Sequence, residues 1–291
     1  MDESPSLDEL FRQAVSAVDA GEVNVVERLV TEHPRLISDR LDAPGAWLRD
    51  QVGNALDDFF QRPYLLWFVA EDPVRNGSLP ANIGEVARTI IRAAQRAGVA
   101  NLQEQLDYAL RLVSWSWIAR QCGVQIALID VLHDAGAVLD GNPDNALVNS
   151  NFDAAAHLVE RGAPLTLSTA LCLERWDDAN RLASEATPRQ KQFAFTLAAL
   201  KGRTEALRRL LAVGVDVNAV SPDLYSHATA LHHAVSAGAL DAVKVLVDAG
   251  ADLRARDTAH HGTPLGWAEY SGAKAPYTEI AAYLREQEGH G

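Results

Sequence analysis

Histidines are the side chains in this sequence whose spacing could do chemistry. His227 lies two residues before Thr229, and His261 lies two residues before Thr263, in two segments that repeat each other. His260 precedes His261, so three imidazoles could converge if the two segments stack about 8–10 Å apart, as packed helices do. Neutral imidazoles bind zinc and other borderline metals. The sequence therefore leaves open a metal or small-ligand site at His227, His260 and His261, although no cysteine or carboxylate at a fixed spacing completes a ligand set.

Other chemical signals in the sequence are weak. The motifs G-x-S-x-G, H-E-x-x-H, G-x-x-x-x-G-K-[ST] and C-x-x-C do not occur. Cys122 and Cys172 lie on predicted helices, and we expect them to be buried, reduced thiols. We therefore expect a protein that is not an enzyme and that has no cofactor, with an active site near the aromatic residues of 40–83 left as an alternative.

The element that must position the histidines is a pair of short helices. Thr229 is a good helix N-cap and is followed by Ala-Leu-His-His-Ala234, and Gly238 and Gly250 stand where short helices must end. Between the glycines, three apolar residues form a one-sided stripe, which is typical of an amphipathic helix. These residues are Val243, Leu246 and Val247. The pattern predicts a helix, a turn, a second helix and a loop.

The same unit recurs along the chain. A glycine followed by apolar residues at +5, +8 and +9 occurs at Gly21, Gly123, Gly202 and Gly238. The motif Thr229 to Ala234 returns 34 residues later as Thr263-Pro-Leu-Gly-Trp-Ala268, now with proline at the favoured first helical position. These motifs resemble the ankyrin repeat, a unit of about 33 residues marked by T-P-L-H-x-A.

The resemblance implies an all-α ankyrin-repeat solenoid of about eight helix-turn-helix pairs, with an inserted helical segment near residues 40–83. We expect one solenoid over residues 1–291. Its parts are an N-terminal repeat at 6–40, the insertion with part of a second repeat at 41–83, degenerate repeats at 84–188 and well-formed repeats at 189–288. In this family the motif histidine is structural, which implies that His232 ties the loop between neighbouring repeats.

The segment 40–83 interrupts the repeat pattern and is rich in aromatic residues. We predict one helix over 47–60, a second over 63–70 and a long finger-like loop over 71–80. The aromatic residues have two interpretations. Either they pack the insertion onto the repeats as extra core, or they form an exposed patch that binds protein.

The central repeats are degenerate. A helix over 84–97 should precede a pair at 103–136 with an unusually long first helix. Asp140-Gly-Asn-Pro-Asp-Asn145 predicts a turn-rich loop and resembles a calcium loop only faintly, since it lacks the glycine and the glutamate of that motif. Ser150 stands where the pattern has its glycine, and another short pair is expected near 167–186.

The resemblance also implies where a partner binds, because ankyrin proteins use loop tips and the exposed faces of first helices. Carried over position by position, and with the longer loop 219–228 included, the partner-binding residues are Leu224, Tyr225, His227, His233, Ser236, Trp267 and Tyr270. Tyrosine and tryptophan offer a large apolar area with a polar group, which suits a binding groove. The alternative for Trp267 is that it packs under the last repeat.

Composition and charge limit the partners. The net charge is −13, which disfavours nucleic acid and favours an unknown protein partner with a basic surface, although acidity for solubility explains it equally well. No apolar run approaches the roughly 18 residues of a membrane span, and the opening residues lack the features of a signal peptide, so we expect a cytoplasmic protein. Arginine outnumbers lysine 22 to 4, which suggests a GC-rich source, and we expect a bacterial protein. The oligomeric state stays open.

Overall fold

All regular structure in the computed structural model is helical. The structure describes residues 5–272 and 274–290, and no strand occurs among them. The chain forms two compact units, which divide between Pro164 and Leu165. The expected all-α architecture of helical pairs is confirmed, whereas a single solenoid over the whole chain stays a prediction.

The first unit contains ten α-helices and two 3-10 helices among its described residues. The α-helices are α1 Leu7–Asp19, α2 Val23–Glu32, α3 Arg35–Ser38, α4 Ala46–Val52, α5 Ile83–Arg96, α6 Leu102–Trp115, α7 Trp117–Gln121, α8 Gln125–Asp134, α9 Asn142–Val148 and α10 Phe152–Glu160. The 3-10 helices are Gly53–Asp57 and Leu65–Ala70.

Among its described residues, the second unit contains four successive helical pairs. Its helices are α11 Leu167–Cys172, α12 Trp176–Glu185, α13 Pro188–Leu200, α14 Thr204–Ala212, α15 Ala230–Ser236, α16 Leu240–Asp248, α17 Pro264–Tyr270 and α18 Tyr277–His290. First helices pack in the order α11, α13, α15, α17, and α14 packs on α16. Each helix is too short to be stable alone, so its apolar stripe must be buried by its neighbours.

Threonine side chains set the beginnings of the first helices. Thr187 and Gln190 form a reciprocal capping box on α13, and the Thr263 hydroxyl accepts from the backbone N–H of Gly266 at 3.1 Å on α17. Each contact satisfies a backbone donor that has no partner within the helix. The apolar stripe behaves as expected, since Val243 and Leu246 are fully buried.

The insertion is less helical than its sequence predicts. The expected helix over 47–60 ends at Val52, because Gly53 adopts a left-handed φ of 52°, and a 3-10 helix follows. The segment Leu65–Ala70 is also a 3-10 helix. Four aromatic side chains of the segment 40–83 are buried, so the core interpretation is confirmed for them. They are Phe60, Tyr64, Trp67 and Phe68.

Residues 71–80 form a loop, as predicted, but the loop is not a projecting finger. Glu71 is buried, and its carboxylate accepts from the backbone N–H groups of Arg75 (3.0 Å), Asn76 and Gly77 (2.9 Å). The Arg75 guanidinium lies between Glu71 and Asp19, at 3.0 and 2.9 Å. A buried charge is tolerated only where it is paired and hydrogen-bonded, so this loop folds back onto the unit.

Two further predictions need correction. The long first helix expected in 103–136 is broken at Ser116. Helix α6 ends before this residue, and the Ser116 hydroxyl caps α7 by accepting from the Ala119 N–H at 3.0 Å. The loop predicted over 140–145 is shorter, because α9 already begins at Asn142. Ser150 takes the left-handed φ of 61° that its glycine-equivalent position demands.

Gly202 packs closely against Ala239 of the next helical pair, so a larger side chain at this position should lower the stability of the protein. Its φ is 61°, and a Cβ placed on it would lie 2.8 Å from the Cβ of Ala239. Gly214 has a φ of 79° and no atom within 4 Å of such a Cβ. We expect Gly214→Ala to cost about 1 kcal/mol from backbone strain alone. Gly202→Ala should cost roughly 2 kcal/mol more, because it also forces the repeats apart.

Urea unfolding followed by circular dichroism measures both losses. Gly214→Ala is the matched control, because it introduces the same methyl group into the same backbone conformation. Equal losses for the two variants would show that close packing at Gly202 contributes nothing.

Candidate functional site

The loops 213–229 and 249–263 bring aromatic and histidine rings together at the start of α15 and α17. The His227 ring stacks on Trp267 with centroids 6.1 Å apart, and the Tyr225 ring lies 5.7 Å from His233. His233 in turn contacts Trp267 edge-on at 6.2 Å. These four rings form one cluster, which we call the ring cluster. Such offset and edge-on contacts stabilise by about 0.5–1.5 kcal/mol each beyond area burial.

His232 fastens the second loop to the start of α15. Its Nε2–H donates to the Gly262 carbonyl oxygen at 3.1 Å, and its Nδ1 contacts the Thr229 hydroxyl at 2.9 Å. Burial lowers the pKa of His232, although the Gly262 hydrogen bond and nearby Asp257 act in the opposite direction. The ring is therefore neutral at pH 7. The structural role that the resemblance implies is confirmed.

Asp257 organises the same loop and was missed by the sequence analysis. Its carboxylate accepts from the backbone N–H groups of Ala259 (2.9 Å), His260 (2.7 Å) and Gly262 (2.8 Å), and from Trp267 Nε1 (3.0 Å). Burial acts to raise the pKa of Asp257, but these hydrogen bonds outweigh it and hold the pKa below its usual range. The side chain thus stays ionised and fixes the Trp267 indole.

A sequence signal for Asp257 existed. An aspartate at the start of a short polar segment is typical of an Asx turn, in which the side chain accepts from the backbone two residues on. The contact from Ala259 N–H is such a turn. The bond to Trp267, ten residues away, has no local signature.

The described structure does not bring His227, His260 and His261 together as a set of metal ligands. Within residues 5–272 and 274–290, no three His, Cys, Asp or Glu side chains are placed to hold a metal ion. His260 and His261 are exposed, whereas His227 is partly covered by Trp267.

Two of the predicted partner-binding residues face inward. His233 is 3% exposed and Leu224 is 8% exposed, so neither offers contact area. The chain turns at Tyr225, whose φ of 47° is left-handed, and this leaves Leu224 in the core and Tyr225 at the surface. The bidentate contact between Arg189 and Asp223 anchors the same loop.

The remaining candidates stay accessible to different degrees. Tyr270 is 95% exposed and Tyr225 is 47% exposed, and Ser236 lies on the surface. Trp267 and His227 are partly buried. Trp267 is therefore held in place through its Nε1, which Asp257 fixes, while part of its ring stays accessible.

Comparison with known proteins places repeats in the same region. A family model described as ankyrin repeats (3 copies) matches residues 146–257 and residues 195–290. None of the curated proteins compared with the chain matches it.

The Asp257 cluster predicts a stability loss on Asp257→Asn. The amide cannot accept from all four donors and turns its NH₂ group towards some of them, so buried N–H groups lose their partners. We expect a loss of about 3 kcal/mol in the free energy of unfolding. Chemical unfolding by urea measures it, with Asp252→Asn as the control in an exposed position. A loss no greater than that of the control would contradict the assigned role.

His233 predicts a pH dependence. Burial lowers the pKa of His233 from 6.5 to about 4, although hydrogen bonds to the backbone of Tyr225 and Ala228 act in the opposite direction. Between these values the unfolded chain binds a proton that the folded chain does not bind. Stability is therefore full above about pH 6.5 and falls by about 3 kcal/mol as the pH drops towards 4.

The His233→Leu variant tests this contribution, because leucine fills the site and cannot be protonated. Unfolding free energies measured at several pH values should fall less steeply for this variant than for the natural protein. His260→Gln removes an exposed histidine and should keep the natural slope. An unchanged slope in His233→Leu would count against the buried neutral ring.

Proposed function

Because this chain is an ankyrin-repeat protein whose matched repeats lie over residues 146–290, we propose that it is a scaffold that binds another protein through the faces of α15 and α17 and the loop tip 219–228. Ankyrin repeats generally mediate protein–protein interaction, and the family is typically non-enzymatic. The proposed contact residues are Tyr225, His227, Ser236, Trp267 and Tyr270.

The observation that carries the proposal is the exposure of Tyr270. This side chain leaves 95% of its area in water, on the helix that also carries Trp267 one turn earlier. A large aromatic ring gains little from such a position in the free protein, but its burial in a complex releases apolar area and gives a hydroxyl a partner. Tyrosine and tryptophan are also the residue types that dominate binding energies at interfaces.

The ring cluster supports the proposal through rigidity. Asp257 fixes the Trp267 indole, and Trp267 stacks on His227, so these side chains lose little conformational freedom when a partner docks. Preorganised contact residues bind more tightly, because the ordering cost is met during folding.

Charge indicates the chemistry of the partner. The chain carries a net charge of −13, so its field attracts a basic protein surface over a distance and repels nucleic acid. The ion pairs Arg189–Asp223 and Arg285–Glu269 beside the proposed face use exposed acids locally. The attraction therefore acts mainly on the rate of encounter, while the aromatic contacts supply affinity.

The proposed location is the cytoplasm, in a bacterium. The two cysteines do not form a disulfide with each other, and Cys172 is buried; reduced cysteines are typical of a reducing compartment. None of the described helices is long and apolar enough to cross a membrane.

Capture of partners from a lysate of the source organism tests the proposed face. The immobilised Tyr225→Ala/Tyr270→Ala double variant should lose partners that the natural protein retains. Truncating two aromatic anchors of an interface lowers the binding free energy by about 2–4 kcal/mol, roughly 30- to 1,000-fold in affinity. Trp267 is left intact, since its bond to Asp257 would confuse binding with folding.

The matched control is Trp117→Ala, which removes an aromatic side chain of 51% exposure from the first unit. It should retain all partners, and circular dichroism should show that both variants are folded. Retention of every partner by the double variant would rule out this face.

A further inference from the structure

The second helices of the C-terminal unit differ at the positions that face their neighbours. At +5, +8 and +9 from the left-handed residue that precedes each helix, α14 has Leu207, Leu210 and Leu211, and α16 has Val243, Leu246 and Val247. The same count from Glu174, whose φ is 59°, gives Ala179, Leu182 and Ala183 in α12. Two of the three stripe positions of α12 are therefore alanine.

These truncations leave space. A pocket of about 240 Å³ lies where α12 meets α13 and α14, and Ala179 and Ala183 form part of its wall. The packing of α12 on α14 is correspondingly sparser than that of α14 on α16. Its other apolar walls are Leu167, Leu171, Leu210 and Val213. A cavity on the order of 150 Å³ lined by aliphatic side chains is enough to hold benzene, so this pocket has room for a small apolar group.

The polar groups around the pocket are cationic or neutral. Lys191 and Arg209 line it together with Asn180 and Ser184, and none of the described residues that line it carries a carboxylate. Arg209 is engaged, with Glu205 at 2.9 Å, Asn180 at 3.3 Å and the Trp176 ring 4.5 Å below it. Lys191 has no carboxylate within 4.0 Å among the described residues. One ammonium group is thus available at an apolar pocket.

We propose that this pocket binds a small aliphatic carboxylate, a medium-chain fatty acid, with its chain against Ala179 and Ala183 and its carboxylate on Lys191. The chain replaces the apolar volume that the repeat pattern supplies elsewhere, and removing it from water provides the main driving force. The carboxylate accepts a charge-assisted hydrogen bond from the Lys191 ammonium. The size of the pocket lies below the usual range for larger ligands, which favours a single short chain.

This site is independent of the proposed partner surface, because it shares no residue with it. The two can fail separately: loss of fatty-acid binding leaves the aromatic face untouched, and loss of partner capture leaves the pocket unchanged.

Titration calorimetry with octanoate tests the proposal on the full chain. We expect one site with a Kd between about 10 µM and 1 mM, which is reasonable for a ligand of this size. Octylamine, which has the same chain with the opposite charge, should bind at least 10-fold more weakly. The amide NMR signals of Ala179 and Ala183 should shift on addition of octanoate.

Variants separate the apolar and charged contributions. Ala183→Leu restores the residue that α14 has at this position, so it should abolish binding while keeping or raising the thermal stability. Lys191→Met should lower the affinity for octanoate about 10-fold and should not lower the affinity for octylamine. Arg208→Gln removes a positive charge from α14 outside the pocket and should change neither.

Several results would overturn the assignment. One is the absence of saturable octanoate binding up to about 5 mM. The others are octylamine binding as tight as that of octanoate, and a folded Ala183→Leu variant that binds octanoate as tightly as the natural protein does. Should Ala183→Leu fail to fold, Lys191→Met and the octylamine comparison still decide. Binding of a short peptide that ends in leucine, without binding of octanoate, would also overturn it and would assign the pocket to a protein C-terminus.

Discussion

The hydrogen bonds of the buried Asp257 carboxylate are the interaction on which the C-terminal repeats and their proposed binding face depend. Four N–H groups converge on this carboxylate, and one of them belongs to Trp267. Gly262 lies a few residues after Asp257, and its carbonyl accepts a hydrogen bond from His232. This bond connects the same loop to the preceding first helix, α15. A loop without secondary structure thereby acquires a fixed shape, because side chains and backbone groups together satisfy many of its donors and acceptors.

This arrangement explains why the same region can be both core and surface. Trp267 is held through its Nε1 by Asp257 and through its face by His227, and the rest of its ring is left accessible. His233 belongs entirely to the interior side and stays neutral, because burial lowers its pKa to about 4. Rigid support from below and accessible aromatic area above are what a preorganised protein-binding face requires.

Variation between repeats has physical consequences elsewhere in the chain. In the first unit, the segment 40–83 has 3-10 turns where regular helices were expected, together with buried aromatic rings and the ion pairs of Arg75. In the second unit, alanines in α12 leave a pocket beside Lys191. A repeat protein tolerates such departures because each repeat packs only on its neighbours, so a change in one pair is absorbed locally.

The sequence by itself determined the helical pairs, their caps and their buried stripes, because these depend on residues three to five positions apart. It also predicted the role of His232 through its place in a motif, and Ser150 takes the left-handed backbone of the glycine it replaces. Only the tertiary structure decided that Leu224 and His233 are buried, that Glu71 folds its loop inward and that Asp257 holds Trp267. Those outcomes depend on groups brought together by the packing of separate elements, and on which desolvated charges find enough donors there. The spacing of residues along the sequence predicts neither the contacts between separate elements nor the donors available to a buried charge.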